Sequence, residues 1–178
     1  MKNLNTYIQE NTYINEKLTI VHNCYSCAPE TTEELIEIIK ERLEEDPYAD
    51  LNDIDVSNIT SMAFLFYDLD PHNIDISKWD VSNVENMRDM FYGCRNFNSD
   101  LSNWDVSSVK NMSYMFAYCT NFNADLSAWD VSNVKNMRNM FAYCKKFNSD
   151  LSDWDVSNVQ DMHYMLDGCD SMNEIPMW

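Results

Sequence analysis

The chain has 178 residues, an apolar content of 45% and a formal net charge of −18. This length indicates one domain, or one domain with an end cap. The acidic charge disfavours direct nucleic-acid binding, because phosphate contacts need clustered Lys and Arg. Two glycines leave no phosphate loop, and no catalytic motif is visible, so we expect a non-enzyme without a cofactor.

The sequence also bears on location. No apolar run reaches the 18 residues of a membrane span, and the N-terminus lacks the apolar stretch of a secretory signal. Six cysteines without such a signal are typical of reduced thiols. We therefore expect a cytoplasmic protein that does not bind a membrane.

Residues 1–50 are predicted to form an N-terminal cap with a strand over 17–22. Cys24 and Cys27 form a C-x-x-C pair. The pair could be half a zinc site, a redox dithiol or a loop with two thiols. A loop is favoured, because zinc would need a second pair at suitable spacing.

A helix is predicted over 31–46, with Thr31 and Glu34 as its capping box and Pro47 after its end. Its apolar side carries Leu35, Ile36, Ile38, Ile39 and Leu43. The other side is acidic and includes Glu37 and Glu41. The helix can cap a stacked array, or its acidic side can dock a partner, with Glu37 and Glu41 as candidate contacts.

Beyond the cap, the chain repeats itself every 25 residues. Residues 51–78 are a degenerate first repeat, 79–171 are regular repeats, and 172–178 are a C-terminal cap in which Ile175, Met177 and Trp178 fold over the open end. The clearest columns are tryptophans, each followed by Asp, Val and Ser: Trp79, Trp104, Trp129 and Trp154. A fixed period of this length predicts stacked units, because one unit cannot bury its own apolar face.

Two patterns lie inside each unit. Apolar residues from Val84 to Cys94 follow helical spacing, with Ser82 as N-cap and Glu85 completing a capping box. Ser157 and Gln160 repeat that box. The stretch 98–106 predicts a short strand and tight turns.

The pattern F-N-x-D-L-S-x-W-D-V-S-x-V-x-N-M-x-x-M-F resembles the BspA-type repeats of bacterial and mycoplasmal surface proteins, a leucine-rich-repeat-like group. The resemblance covers roughly residues 51 to 173. It implies an α/β repeat solenoid, a right-handed stack of strand–turn–short-helix units with an N-terminal helical cap. It also implies a binding role without catalytic residues.

Two further columns could carry chemistry. We expect Cys94, Cys119, Cys144 and Cys169 to be core thiols, since a ladder gives parallel and not convergent metal ligands. Stacked aspartates, as at Asp80 and Asp105 or Asp75 and Asp100, would repel each other. Hydrogen bonds from turn amides are the favoured compensation, and Ca²⁺ between coils is the alternative.

Positions that differ between repeats are candidates for recognition, because repeat proteins build binding surfaces from varied projections on a regular frame. The candidates are Arg88, Tyr92, Tyr114, Tyr118, Arg138, Tyr143, Lys145, Lys146 and Tyr164.

The sequence thus predicts a non-catalytic protein-binding scaffold inside a bacterial cell, with a partner of basic or mixed surface charge. A phage or mobile-element protein that interferes with a host or defence protein is one hypothesis. An acidic mimic of nucleic acid and a cell-surface adhesin are the alternatives.

Overall fold

The computed structural model describes residues 28–72, 74–173 and 176–178. These residues hold one helix, α1, spanning Thr32–Glu45, and five isolated parallel bridges joined by turns. The C-x-x-C pair and the predicted strand over 17–22 lie outside the described residues. Within the described ranges, no helix combines the length and apolar character needed to cross a membrane.

Helix α1 confirms its prediction. The Thr31 side chain accepts a hydrogen bond from the Glu34 amide at 3.2 Å, and the Glu34 carboxylate accepts one from the Glu30 amide at 3.0 Å. Leu35 and Ile39 are fully buried. The Thr32 hydroxyl donates to the Ser61 carbonyl at 2.7 Å. The helix therefore packs on the first repeat and leaves its acidic side exposed.

The predicted α/β repeat solenoid of strand–turn–short-helix units is wrong. The described residues contain no sheet and no helix besides α1. The stretch 84–94 passes through the bridge at Asn86 and then forms turns over 88–93, where Asp89 and Gly93 adopt φ of 54° and 75°, which a right-handed helix excludes. The helix-like spacing of its apolar residues instead follows from turns in which the amide of residue i donates to the carbonyl of residue i−3.

The predicted N-cap at Ser82 is also wrong, because no helix follows it. The Ser82 amide and hydroxyl both donate to the Asp80 carboxylate, at 3.1 and 2.6 Å. Such a bond forms a local turn, which competes with helix initiation. The residues 98–106 likewise form turns and extended chain but no named strand.

The 25-residue period does set which parts of the chain are neighbours. Each repeat, here called a rung, is a series of turns. One of these turns is closed by the Val84 amide, which donates to the Val81 carbonyl at 2.9 Å. Alternate amides of one rung donate to the next, as from Phe91 to the Met115 carbonyl at 2.8 Å. Four of the five parallel bridges run in a single column through Ser61, Asn86, Asn111, Asn136 and Asp161, and the fifth joins Asp50 to Asp75.

Aromatic columns fill the core between the rungs. Phe116 is fully buried, and its ring stacks on Phe91 at 5.4 Å and on Phe141 at 5.6 Å. Each buried tryptophan donates its indole N–H to a carbonyl one rung back, as from Trp129 to Leu101 at 3.0 Å. Phe116 also lies 6.4 Å from the Trp129 ring. The core therefore lies where the phenylalanine column packs against the tryptophan column.

At the C-terminal end, Met177 is fully exposed and Trp178 is exposed. Met177 therefore does not cover the last rung as predicted, and Ile175 lies outside the described residues.

Candidate protein-binding face

Tyrosines from successive rungs form one column on the surface. The rings of Tyr67 and Tyr92 stack at 4.9 Å, and those of Tyr118 and Tyr143 stack at 4.9 Å. Tyr92 and Tyr118 meet edge to face at 5.4 Å. Offset and edge-to-face ring pairs of this kind stabilise each other. Four consecutive rungs thus present one continuous row of tyrosine rings.

A second column alternates aromatic rings with guanidinium groups. Arg88 lies over the Phe64 ring at 5.6 Å, and Arg138 lies over the Tyr164 ring at 5.8 Å. The Tyr114 side chain hydrogen-bonds Arg138 and raises the pKa of that guanidinium. Aromatic faces attract such cations through the ring quadrupole.

The two columns belong to one surface, because the Phe64 and Tyr67 rings lie 5.8 Å apart. We call this surface the aromatic face. Its members are Phe64, Tyr67, Arg88, Tyr92, Tyr114, Tyr118, Arg138, Tyr143 and Tyr164. Tyr164 is 63% exposed and Phe64 47%, which are high fractions for rings of this size.

Five rings of the aromatic face sit on left-handed backbone. The φ angles are 63° at Phe64, 59° at Tyr114, 59° at Tyr164, 65° at Tyr118 and 61° at Tyr143. For a side chain with a Cβ this conformation costs roughly 1–2 kcal/mol. These rings occupy two equivalent positions of the 25-residue repeat, here called phases. In other rungs, called sister rungs, the same two phases hold residues that tolerate the left-handed conformation far better, namely Asp89, Asn139, Gly93 and Gly168. Local backbone geometry therefore does not call for aromatics here.

The glycine at 168 has its own steric reason. A Cβ there would lie 2.7 Å from Cδ1 of Tyr143, on the preceding rung. The Tyr143 ring thus occupies the space above the next rung's glycine. The column ends at that rung because neither Gly168 nor the preceding Asp167 carries an aromatic ring.

The structure brings together seven of the predicted site residues: Arg88, Tyr92, Tyr114, Tyr118, Arg138, Tyr143 and Tyr164. Lys145 and Lys146 are exposed just after Tyr143, beside the face. Glu37 and Glu41 lie on α1 and belong to neither column.

Sequence reasoning missed Phe64 and Tyr67, which lie in the degenerate first repeat. A signal for Phe64 was present: Phe64, Tyr114 and Tyr164 are spaced by 50 residues, two repeat lengths. An aromatic residue that recurs only in every second repeat does not stand out as a column when all repeats are aligned.

The hydroxyls of Tyr92 and Tyr143 remain protonated at neutral pH. Burial, and then the neighbouring Tyr118 and Tyr67, raise the pKa of Tyr92. The Asp167 carboxylate is the main cause that raises the pKa of Tyr143. Both hydroxyls can therefore donate as well as accept hydrogen bonds.

The aspartate columns lie in the other part of each rung and form the aspartate face. Its members are Asp55, Asp75, Asp80, Asp100, Asp105, Asp125, Asp130, Asp150 and Asp155. Each carboxylate accepts the amide of the serine two residues later, as from Ser132 to Asp130 at 3.0 Å. These bonds lower the pKa of Asp130, mainly through Ser132.

Amide bonding of the aspartates is therefore confirmed. It holds the carboxylates ionised despite their stacking. In the described part of the chain, no group of three or more His, Cys, Asp or Glu side chains is arranged to hold a metal ion.

The cysteine column is confirmed as core. Cys94, Cys119 and Cys144 are fully buried, and each thiol donates to a phenylalanine carbonyl on the preceding rung, as from Cys119 to Phe91 at 2.9 Å. Burial raises the pKa of these thiols, and it raises the pKa of the part-buried Cys169 to about 11. Thiols in this state are poor nucleophiles.

Comparison with known proteins gives one match. The family described as "Mycoplasma protein of unknown function, DUF285" matches residues 39–129 and 60–178. Two overlapping matches are what a repeated unit produces. Neither the curated proteins nor the solved structures include a match. DUF285 is related to BspA-like repeats, so the resemblance seen in the sequence is supported at that level. The matched ranges cover well over half of the chain, which therefore belongs to the DUF285 family.

Proposed function

We propose that this chain is a non-catalytic scaffold that binds another protein through the aromatic face. The supporting observation is the set of five aromatic residues on left-handed backbone. Sister rungs show that Asp, Asn or Gly serves the same phases. Strained residues persist where function uses them, so the rings are kept for what they contact outside the chain.

The composition of the face fits this role. Tyr and Arg are enriched among the residues that contribute most to protein–protein binding. A tyrosine also offers a large contact area for little conformational entropy, because it has only two side-chain torsions. Stacking between rungs fixes these rings further, as in the Tyr118–Tyr143 pair.

The setting we propose is the inside of a bacterial cell, where buried thiols such as Cys119 stay reduced. A phage or mobile-element protein that binds and interferes with a host or defence protein fits a scaffold without a catalytic site. The genes flanking the coding sequence test this setting, since phage or defence genes should recur beside it.

Binding is tested by affinity capture from lysate of the cell that makes the chain. The variant carries Phe64→Asn, Tyr114→Asn and Tyr164→Asn, because Asn139 occupies the same phase in a sister rung. We expect the wild-type chain to retain one dominant protein that the variant loses. Tyr48→Asn is the matched control, since Tyr48 is 60% exposed but lies outside the face. Equal capture by wild type and triple variant would rule out the aromatic face.

A second candidate is mimicry of nucleic acid, and the aspartate face favours it. Its carboxylates are exposed, ionised and evenly stacked, as at Asp105, Asp130 and Asp155. Such a row could occupy a basic cleft. Under mimicry, competing DNA or RNA displaces the partner, and Asp105→Asn with Asp130→Asn weakens the complex while the triple aromatic variant does not.

A further inference from the structure

The charges of the repeats are segregated within each rung. In residues 54–178, the phases outside the aromatic side carry eleven acidic residues and one basic residue, Lys78. The phases around the aromatic face, residues 60–71, 85–96, 110–121, 135–146 and 160–171, carry seven of each sign. The phases around the aromatic face are therefore neutral in sum, and the net charge of −10 in residues 54–178 comes from the rest of this sequence.

The centre of the aromatic side is basic. Residues 85–96, 110–121 and 135–146, here called the central strip, hold seven basic and two acidic side chains, a net charge of +5. The basic members are Arg88, Arg95, Lys110, Lys135, Arg138, Lys145 and Lys146. Both acids are paired, Asp89 with Arg88 at 2.8 Å and Glu85 with Lys110 at 2.8 Å.

Two arginines of the strip, Arg88 and Arg138, keep capacity for a partner. Asp89 accepts from Nε of Arg88, and the Asp161 carboxylate lies 3.6 Å from Nη1 of Arg138. A guanidinium has five N–H donors in all, so each arginine keeps donors beyond these contacts. The Arg88 side chain is 52% exposed and that of Arg138 is 42% exposed. Each can therefore bind an incoming carboxylate in the forked geometry that arginine favours.

We infer that the aromatic face takes an acidic polypeptide segment, whose carboxylates pair with the central strip while its apolar groups pack on the tyrosines. This inference rests on the proposed function and specifies the partner's chemistry. The charge of the whole chain favours a basic or mixed partner, but that charge comes from residues 1–53, with a net −8, and from the phases outside the aromatic side, with a net −10. At the aromatic face the complementary charge is negative.

The ends of the strip distinguish a short segment from a long polyanion. The first rung carries Asp68 and Asp70 in these phases, and the last carries Asp161, Asp167 and Asp170. Three rungs at strand-like spacing span roughly 15 Å. A nucleic acid longer than a few nucleotides would run onto carboxylates at both ends, whereas a short acidic segment fits between them.

The spacing of the arginines fits a helix. Arg88 and Arg138 lie two rungs apart, roughly 10 Å at strand-like spacing. Residues i and i+7 of an α-helix lie about 10.5 Å apart on one face. Carboxylates at i and i+7 can therefore meet both guanidiniums together.

The test uses two labelled Ala-based helical peptides of about 18 residues, five turns in length. One carries Glu at i, i+4, i+7 and i+11, and the other carries Lys at the same positions. A single-stranded oligo-dT of about 12 nucleotides is the third probe. Binding to the full chain is followed by fluorescence anisotropy at about 50 mM and about 300 mM NaCl, because screening weakens surface ion pairs.

We expect the Glu peptide to bind more tightly than both other probes, and more weakly at high salt. Arg88→Glu with Arg138→Glu should weaken it at least tenfold, and Arg88→Gln with Arg138→Gln, the milder pair if folding suffers, should weaken it severalfold. Lys78→Glu, a charge reversal outside the strip, should leave it unchanged.

A Glu peptide that binds no better than the Lys peptide, or that ignores both arginine pairs, would overturn the inference. Tighter binding of oligo-dT would overturn it in favour of nucleic acid. A Lys peptide that binds and is lost with the triple aromatic variant would overturn the acidic partner but leave the proposed function standing. Partner capture that depends on the aromatic rings decides the proposed function by itself.

Discussion

Replacing Tyr164 by Asn separates stability from recognition. Tyr164 sits at φ 59° and is 63% exposed, and its ring contacts are Arg138 at 5.8 Å and His163 at 6.3 Å. Asn139 occupies the same phase one rung earlier with φ 54°. The substitution therefore installs a residue that this backbone already accepts.

The opposing contributions nearly cancel. The left-handed conformation costs roughly 1–2 kcal/mol for a residue with a Cβ, and the variant relieves only part of this strain, because Asn keeps a Cβ but tolerates the conformation better. Loss of the exposed cation–π contact costs about 0.5–1 kcal/mol. A fully buried tyrosine covers about 150–250 Å². About a third of that is covered here, so its loss costs at most roughly 1.3–2.1 kcal/mol, and less because Asn keeps part of it. We expect the free energy of unfolding to change by less than about 1 kcal/mol.

Urea unfolding followed by circular dichroism measures this change. Phe116→Ala is the contrast: Phe116 is fully buried between two stacked rings, and such a truncation costs about 3–5 kcal/mol. A loss of 2 kcal/mol or more in Tyr164→Asn would show that the ring is structural. The inference from strained aromatics to recognition would then fail.

Three other changes test the packing and the charges. Trp129→Phe removes the indole donor to the Leu101 carbonyl and should cost about 1–3 kcal/mol in urea unfolding, whereas an unchanged midpoint would mean that the bond is not needed. Gly168→Ala should destabilise the chain by roughly 1–3 kcal/mol through left-handed strain and contact with Tyr143, and by less when Tyr143→Gly is also present. Acidification should lower stability, because serine bonds hold the pKa of residues such as Asp105 and Asp130 below the ordinary value of about 3.9. The stabilisation is complete above the ordinary pKa and is lost as the pH falls through the lower folded-state pKa. The melting temperature should therefore drop in that pH range. The drop should be less steep in Asp130→Asn, which lacks one of these carboxylates.

The sequence was enough to predict the neighbours in the stack but not the path of the chain within a rung. Register follows from the period, because Trp104 and Trp129 must share one environment if each rung covers the next. The path depends on backbone angles, and the sequence does not reveal the positive φ angles of Tyr114, Tyr118 and Tyr143. A tyrosine rarely adopts positive φ, so nothing in its identity signals a turn.

The repeat helices were a wrong prediction for a related reason. Val84, Met87 and Met90 are spaced as on a helix, but turns closed by bonds from residue i to residue i−3 produce the same spacing. The sister residues at the turn phases, Asp89 and Gly93, carried the correct signal.

The candidate residues could be predicted because a single sequence shows which positions differ from one repeat to the next. The sequence did not show which of these side chains contact each other. Tyr92 and Tyr118 lie 26 residues apart and differ in phase, yet their rings meet at 5.4 Å. Side-chain reach lets neighbouring phases share one column, and only coordinates show this.

Hydrogen–deuterium exchange of the chain with its captured partner tests the central claim most directly. We expect the partner to slow exchange in peptides covering 85–96, 110–121 and 135–146, the central strip of the aromatic face. Slowed exchange confined to the segments with Asp100, Asp105, Asp125 and Asp130 would place the partner on the aspartate face and contradict the account.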